Sequence, residues 1–307
     1  MNLRSTARRF VHGRRQGIPP AAAPREAVQH RVITSDGVEL SLLRFARNVQ
    51  WNVPILLTHG TLSNALVCAR LASSLADQGF DAWILEWRGH GQSARGDARP
   101  DFQYLADFDV PAGIAAVQQA TQRKEIFLVG HSGGGLVFLM HLARQREKSA
   151  FVRGIVTIAS QATEAGHTWR DKAKIASFAA VNNTLGHLPG PMLGLGPENE
   201  WREVMNQWFR WNLSRRWLAR AEFDYAQALG EIDVPLLCLA DAGDRFIAPV
   251  RGCLRLYETV GSRDKRFVLC GKSDGFSEDY DHTRIIASRA ADQEIWPIIS
   301  EWLRKRL

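Results

Sequence analysis

The residues best suited to chemistry lie in a glycine-rich segment near the middle of the chain, Gly130-His131-Ser132-Gly133-Gly134. The segment follows an apolar run, Ile126 to Val129, that is typical of a buried strand, and it precedes a helical pattern. A serine in such a turn is held in a strained conformation with its hydroxyl exposed, and the glycines let strand and helix approach. We interpret Ser132 as a nucleophile. The alternatives are a turn that only packs and a phosphate-binding loop, although no lysine follows in the P-loop position.

A serine hydroxyl becomes nucleophilic when a base removes its proton, and a carboxylate must orient that base. His282 is the only histidine beyond residue 187 and follows the last strand-like run, so it is the candidate base. Two aspartates end the preceding run, Asp241 at its terminus and Asp244 in the loop beyond. We expect Asp244 to be the acid because a carboxylate in that loop can reach across to the histidine. Asp241 is the alternative, and either residue could instead cap the following helix.

Strand-like and helical runs alternate along most of the chain. Two runs flank an Asp-Gly turn and predict an antiparallel hairpin over residues 28–34 and 38–44. Later strand-like runs lie at 53–57, 81–85, 126–129, 155–159, 235–240 and 266–270, with helical patterns at 63–78, 111–122, 134–144 and 285–303. Alternation at this pitch predicts an α/β fold in which helices cover both faces of a mostly parallel sheet.

Residues 161–232 interrupt this alternation, since they contain no convincing strand and hold five of the ten tryptophans. We expect them to form a helical cap inserted into an α/β core made of residues 28–160 and 233–307. A Gly/Pro-rich stretch from Leu185 to Pro197 should separate the cap's helical parts, because no regular element tolerates that composition.

An apolar cap over the carboxyl ends of the strands favours a ligand with an acyl or aromatic group. The candidate substrate contacts are Leu62, Leu193, Trp208 and Trp211. These tryptophans could equally pack the cap onto the core, since they recur at helical spacing. The backbone N–H groups of Thr61 and Gly133 are the candidate oxyanion hole. One follows the first strand of the parallel sheet and the other follows the nucleophile.

The motifs together resemble those of the α/β-hydrolase superfamily, from about residue 28 to the C-terminus. They are Thr58-His59-Gly60-Thr61, the loop Arg88-Gly89-His90-Gly91-Gln92-Ser93, the segment around Ser132, and Asp244 to Pro249. The resemblance is to the esterase and lipase-like branches, in which the second motif shapes the sheet edge and its histidine is structural. It implies the chain order serine, acid, histidine. The chain departs from the pattern in placing His282 about a dozen residues after the last strand, and in having Arg284 where acid lipases have an aspartate.

We therefore predict an esterase/lipase-like serine hydrolase that cleaves a small-molecule carboxylic ester through an acyl-enzyme. Ser132 attacks the carbonyl, His282 is the base, and Asp244 orients it. Thioesterase, amidase and acyltransferase reactions use nearly the same residues and remain open. Outside enzymes, the alternative is a non-catalytic family member that binds a lipophilic ligand.

The net charge of +7 is concentrated at the N-terminus. Residues 1–25 contain six arginines and no acidic residue, which leaves the remainder at +1. We predict a flexible basic tail over residues 1–27, and deletion of residues 1–25 should leave turnover unchanged. The tail is a solvated extension, a targeting peptide or a contact with anionic lipid. Nucleic-acid binding by a folded basic face is disfavoured.

The four cysteines occur in no CxxC or Cys/His ligand spacing, so we predict neither a metal nor a cofactor. They are expected to be buried apolar side chains in a reducing compartment, which points to the cytoplasm. No apolar run approaches the roughly 18 residues of a membrane span, and the first 25 residues lack an apolar leader. Membrane insertion and export are therefore disfavoured, and the oligomeric state is left open.

Overall fold

A computed structural model of the protein describes residues 27–219 and 222–307, apart from the side chain of Lys148. The predicted basic tail, except Ala27, lies outside the described residues. The described residues form ten strands: β1 (Val28–Ile33), β2 (Glu39–Phe45), β3 (Ile55–Thr58), β4 (Ala82–Leu85), β5 (Ile126–His131), β6 (Val152–Ile158), β7 (His187–Leu188), β8 (Glu200–Trp201), β9 (Leu236–Asp241) and β10 (Lys265–Cys270).

Eight of these strands form one sheet in the order β1-β2-β4-β3-β5-β6-β9-β10. The β1–β2 hairpin and the β2–β4 pair are antiparallel, and the pairs from β4 to β10 are parallel. The parallel strands therefore direct their carboxyl ends to one edge of the sheet. Crossovers that return each strand to the same edge require a helix or long segment between strands. The α/β fold predicted from the alternation is confirmed.

Helices occur in all four of the helical segments predicted for the core, and further helices lie outside them. The described helices are α1 (Leu66–Asp77), α2 (Phe102–Tyr104), α3 (Val110–Thr121), α4 (Gly133–Arg144), α5 (Trp169–Leu185), α6 (Gly190–Leu193), α7 (Arg202–Ser214), α8 (Tyr225–Leu229), α9 (Val250–Thr259), α10 (Arg284–Ala287), α11 (Arg289–Glu294) and α12 (Trp296–Arg304). A π-helical turn at Leu105–Asp109 joins α2 to α3. Among the described residues, no helix is both long and apolar enough to cross a membrane.

Two apolar clusters lie on opposite faces of the sheet, because successive side chains of a strand point to opposite sides. On β5, Leu128 belongs to the cluster beneath α3 and α4, whereas Phe127 and Val129 belong to the cluster beneath α1 and α12. All four cysteines are buried and unpaired, as expected of small apolar side chains. The sheet is thus a rigid layer from whose carboxyl edge the site's loops project.

Two elements differ from the sequence-based expectation. The 161–232 segment does contain strands, because β7 and β8 pair antiparallel across the Gly/Pro-rich stretch. Each has two residues, which is too short to leave a periodic pattern in the sequence. The expected final helix is divided into α10, α11 and α12: Ser288 has extended backbone and its hydroxyl accepts the N–H of Ala291, and Pro297 lies in the first turn of α12.

Candidate active site

The turn between β5 and α4 holds Ser132 in a backbone conformation that L-residues rarely adopt, with φ of 55° and ψ of −122°. The Ser132 N–H donates to the carbonyl of Ile158 at 2.8 Å. Glycine is required on both sides, because a Cβ on Gly130 would lie 2.3 Å from the nitrogen of Gly135, and one on Gly134 would lie 2.6 Å from the carbonyl oxygen of His59. The turn therefore fixes the serine hydroxyl at the carboxyl edge of the sheet.

The structure brings the predicted nucleophile, base and acid into contact. The Oγ of Ser132 lies 2.9 Å from Nε2 of His282, which stands in the loop between β10 and α10. The other ring nitrogen of His282, Nδ1, lies 2.9 Å from Oδ2 of Asp244, in the loop after β9. Three loops at the carboxyl edge of the sheet thus supply one continuous chain of polar contacts.

Asp244 is held as a carboxylate by the backbone of its own loop. Oδ1 accepts the N–H groups of Phe246 and Ile247 at 2.8 Å each, and Oδ2 accepts that of Ala248 at 2.7 Å. Burial favours the neutral acid, but His282 and these N–H groups outweigh burial and lower the pKa of Asp244 to about 2. Asp244 is therefore ionised throughout the physiological range.

His282 is a stronger base than a free imidazole. Burial on its own would lower the pKa of its ring, yet the neighbouring carboxyl groups of Asp244 and Asp241 raise it above 6.5. A base of this strength beside a serine hydroxyl can accept the hydroxyl proton, and it can return that proton to a leaving group.

Asp241, the alternative acid, lies at the end of β9 with its side chain fully buried. Its Oδ2 is 3.9 Å from Nδ1 of His282, against 2.9 Å for Asp244. Neither carboxyl oxygen of Asp241 has a hydrogen-bond partner among the described residues. Burial, with the negative charge of Asp244 as a further contribution, raises the pKa of Asp241 to about 7. The geometry favours Asp244 as the direct partner of the histidine.

His131 is a residue of the site that the sequence reasoning missed. Its Nε2 lies 2.8 Å from the backbone carbonyl oxygen of His282, and because a carbonyl only accepts, the Nε2 of His131 carries the proton. Burial, and then the nearby charge of His282, lowers the pKa of His131 to about 3. The neutral ring of His131 thus ties the histidine loop to the serine turn. The only signal in the sequence was its place next to Ser132.

The loop after β3 contains the candidate oxyanion donor Thr61, followed by Leu62 in the left-handed region at φ 60°. Both the N–H group and the carbonyl group of Leu62 form hydrogen bonds with the 161–232 segment. Its N–H donates to Oε2 of Glu200 at 2.9 Å, and its carbonyl accepts the N–H of Glu198 at 3.1 Å. These bonds hold a strained backbone in place, and Thr61 and Gly133 both line the cavity with Ser132.

Glu200 also binds His90 of the Arg88–Ser93 loop, with Nε2 of His90 at 3.2 Å from Oε2. The other ring nitrogen of His90 faces the carbonyl of Arg88 at 3.2 Å, so both nitrogens face acceptors and both carry protons. Burial opposes the charge, but Glu200 outweighs it and raises the pKa of His90. A buried ion pair therefore connects β8 with the two loops around the serine. The sequence reasoning missed Glu200 because no local sequence pattern relates it to the distant His90.

A cavity of about 1520 Å³ opens onto Ser132, Asp244 and His282. Its apolar wall includes Leu62, Phe102, Leu136, Phe178, Leu188, Leu195, Met205, Trp208, Phe209, Phe246 and Ile247. Most of the wall thus comes from the 161–232 segment and the loops beneath it. Such a mostly apolar wall with a few converging polar groups is typical of a small-molecule site.

Of the four candidate substrate contacts, Leu62 and Trp208 line the cavity, and Leu193 and Trp211 do not. Trp211 is 1% exposed and packs against Phe102 and Trp217 in the core. On α7, Val204 and Trp211 belong to the core cluster beneath α3 and α4, whereas Met205 and Phe209 belong to a small cluster beside the cavity, and Trp208 packs against both. Leu193 precedes the cavity residues Gly194 and Leu195, and its own side chain is partly exposed at 37%.

The largely parallel sheet, with a serine turn after β5 and acid and histidine in later loops, defines an α/β-hydrolase, as the sequence motifs predict. Residues 52–272 match the family model described as serine aminopeptidase, S33, which is most of the chain. The chain therefore belongs to this family.

Curated relatives match part of the chain. Human lipase member J is 30% identical over 128 residues, or 34% of this chain and 35% of that protein. Rat gastric triacylglycerol lipase is 31% identical over 127 residues, or 34% of this chain and 32% of that protein. The chain thus spans about a third of the length of the curated relatives it matches.

Solved structures match nearly the whole chain. A malate-bound thermophilic esterase from Thermogutta terrifontis has a TM-score of 0.64 at 19% identity, covering 91% of this chain and 99% of that one. A monoacylglycerol lipase from Paleococcus ferrophilus has a TM-score of 0.60 at 18% identity, covering 87% and 99%. At this level of identity the likeness establishes the fold.

Proposed function

We propose that the protein is a carboxylic ester hydrolase that works through an acyl-enzyme on Ser132. The observation that carries the proposal is the contact chain from Ser132 through His282 to Asp244, with both contacts at 2.9 Å, at the wall of an apolar cavity. The fold and the family support it, because that family and its structural neighbours include esterases and lipases.

In the first half of the reaction, Oγ of Ser132 bonds to the carbonyl carbon of the ester while Nε2 of His282 takes the hydroxyl proton. Asp244 stabilises the imidazolium and keeps the ring oriented. The backbone N–H groups of Thr61 and Gly133 bind the oxyanion, and each donor of this kind is worth about 3–4 kcal/mol in the transition state. The carbon–oxygen bond to the alcohol then breaks, and the alcohol leaves with the proton from Nε2.

In the second half, a water molecule takes the place of the alcohol. Nε2 of His282 accepts one proton of the water as its oxygen bonds to the acyl carbon. The acyl–Oγ bond breaks, Ser132 recovers the proton, and the carboxylic acid departs. We assign residues 161–232 as the cap that shelters the acyl group, since their apolar side chains form much of the cavity wall.

The charges around the cavity favour an ester over an N-terminal peptide. An aminopeptidase must hold a free α-ammonium group, for which carboxylates are the natural partners. Five basic side chains line the cavity, Arg70, Lys174, Arg245, Arg284 and Arg289, against the three aspartates Asp244, Asp281 and Asp292. Asp244 is paired with His282, Asp292 with Arg70, and Arg284 with Glu278. Three basic side chains and one aspartate of this set remain. A neutral or anionic ester therefore suits this cavity better than a cationic amine.

The test combines covalent labelling with turnover. We expect the wild-type protein to be labelled by a fluorophosphonate probe and to hydrolyse p-nitrophenyl esters, with kcat/KM rising with the length of the apolar acyl chain. Ser132→Ala should abolish both signals. Ser177→Ala, which removes an exposed hydroxyl on α5, is the matched control and should retain both. Binding of the esters without labelling or turnover would show a non-catalytic binding protein, and a preference for aminoacyl p-nitroanilides would show an aminopeptidase.

A further inference from the structure

Asp241 is a buried carboxyl group that the proposed mechanism does not use. It ends β9, its side chain is fully buried, and β10 covers it through the pairing of Cys270 with Asp241. Neither of its oxygens accepts a hydrogen bond from any described residue. A buried carboxyl without partners lowers stability, and an apolar residue would serve the packing better. Such a local conflict is expected where a residue has a functional role.

The imidazole of His282 lies close to this carboxyl. Oδ2 of Asp241 lies 3.9 Å from Nδ1, the same nitrogen that Asp244 approaches to 2.9 Å. One ligand atom from each of the three side chains lies within 4.8 Å of the others. A movement of the ring by about 1 Å would bring Asp241 to an ordinary N···O hydrogen-bond distance. The two aspartates therefore offer alternative partners to one histidine nitrogen.

We propose that Asp241 is a second acid for His282, a positioning residue that takes over the orientation and charge stabilisation of the imidazole when Asp244 is absent. The inference rests on the proposed function, because it concerns the same serine, histidine and acid.

The electrostatics explain why only one aspartate serves in the wild-type protein. Three N–H groups stabilise the carboxylate of Asp244, while no described donor bonds to Asp241. The groups that act electrostatically on Asp241 or share its surroundings are the side chains of Cys238, Asp244, Cys253, Cys270, Asp281 and His282. Because the charge of Asp244 is one cause that raises the pKa of Asp241, removing Asp244 makes Asp241 easier to ionise. Asp241 therefore ionises more readily in the variant in which it has to replace Asp244.

The decisive comparison is Asp244→Ala against the double variant Asp244→Ala with Asp241→Asn, assayed as full-length protein with a p-nitrophenyl ester. We expect Asp244→Ala to lose on the order of 10²-fold in kcat, within the range for one positioned proton-transfer group. The double variant should lose about 10⁴-fold, as when a triad histidine has no acid partner. Equal kcat values for the two variants would overturn the inference.

Two further variants keep this comparison interpretable. Asp274→Asn in the Asp244→Ala background removes an exposed aspartate in the β10–α10 connection, which also contains His282. We expect it to cause no further loss of kcat. If Asp244→Ala does not fold, Asp244→Asn replaces it in both arms, because its amide oxygen can still accept the N–H groups of Phe246 and Ile247. A loss with Asp274→Asn as large as with Asp241→Asn would also overturn the inference.

The pH profile separates a positioning role from a packing role. Asp241→Asn alone should move the acidic limb of kcat/KM to lower pH, because Asp241, with a pKa of about 7, is partly ionised across that limb and its charge helps to raise the pKa of His282. A residue that only packs would lower kcat/KM without moving the limb, and that result would count against the inference. Absence of esterase activity and of Ser132 labelling in the wild-type protein would instead overturn the proposed function. An active wild type with equal single and double variants would overturn this inference alone.

Discussion

At the scale of single residues, the candidate site shows how surroundings set the protonation of similar groups. Asp241 and Asp244 lie three positions apart at the end of β9, and both are buried. Asp244 contacts His282 and receives N–H donors from its loop, so its pKa falls to about 2 while that of Asp241 rises to about 7. Burial penalises both charges, and the contact with His282 together with these donors decides which carboxyl is ionised. The charge at the site thus depends on the surroundings of each aspartate.

The raised pKa of His282 gives a pH prediction. The ring must be neutral to accept the proton of Ser132, and protonation becomes complete below its pKa, which lies above 6.5. We therefore expect kcat/KM to fall tenfold per pH unit on the acidic side, with a midpoint above 6.5. Asp244, ionised down to about pH 2, adds no second step in this range. The ester assay and the rate of fluorophosphonate labelling should give the same midpoint, and a flat profile between about pH 5 and pH 8 would contradict the assignment.

At the scale of elements, the site depends on a short strand that belongs to the 161–232 segment. Glu200 on β8 accepts the N–H of Leu62 and binds His90, and the indole N–H of Trp201 donates to the carbonyl of Arg88 at 3.0 Å. The strand therefore joins the loop after β3 to the loop after β4. Since Thr61 precedes Leu62, the position of one candidate oxyanion donor depends on this strand.

Glu200→Gln should lower kcat more than it changes KM. The amide keeps one acceptor but loses the charge that pairs with His90, so the Leu62 loop loses part of its support. Removing an oxyanion donor outright costs 10²–10³-fold, and we expect about a tenfold loss because Glu200 acts through the loop. Glu203→Gln is the control, since Glu203 lies on α7 and pairs with its neighbour Arg202 near the surface. Equal kinetics for the two variants would show that the strand does not position the donor.

At the scale of the whole molecule, one buried guanidinium connects the N-terminal hairpin to the sheet and its helices. Arg88, with its side chain fully buried, donates to Asp36 in the hairpin turn at 2.7 and 3.0 Å and to Asp109 at 2.7 Å. Hydrogen bonds from Arg88 are the main cause that lowers the pKa of Asp36. Burial raises the pKa of Asp109, and Arg88 opposes that rise. One cation thus neutralises carboxyls from two parts of the chain.

Arg88→Met should destabilise the protein by about 3–5 kcal/mol, because it leaves the buried carboxyl of Asp109 without its partner. Urea denaturation monitored by tryptophan fluorescence measures the change. Adding Asp109→Asn should recover part of the loss, since the uncompensated charge is then removed. Arg47→Met is the control: Arg47 forms a half-exposed pair with Asp77, and such pairs contribute about 0–1 kcal/mol. Similar losses for Arg88→Met and Arg47→Met would refute this account.

The sequence predicts the sheet well but predicts the contacts at the site only in part. The eight long strands follow apolar runs, and the place of the serine is set by Gly130 and Gly134, so local pattern suffices for both. The β7–β8 pair and the bonds of Glu200 join residues that no local pattern relates. Trp208 and Trp211 look equivalent in the sequence, and only the packing of α7 decides which one faces the cavity. The two breaks in the final helix have local signals that the helical pattern over 285–303 does not reveal. Ser288 is an N-cap residue and Pro297 is a first-turn proline.

The attachment of Leu62 bears on how a substrate enters. Both of its peptide groups are bonded to Glu198 and Glu200, and a Cβ on Gly196 would lie 2.1 Å from the carbonyl oxygen of Leu62. A movement of this stretch would also displace Thr61, the candidate oxyanion donor that precedes Leu62. We therefore expect substrate to enter without such a movement, so that the dimensions of the existing opening limit which esters reach Ser132.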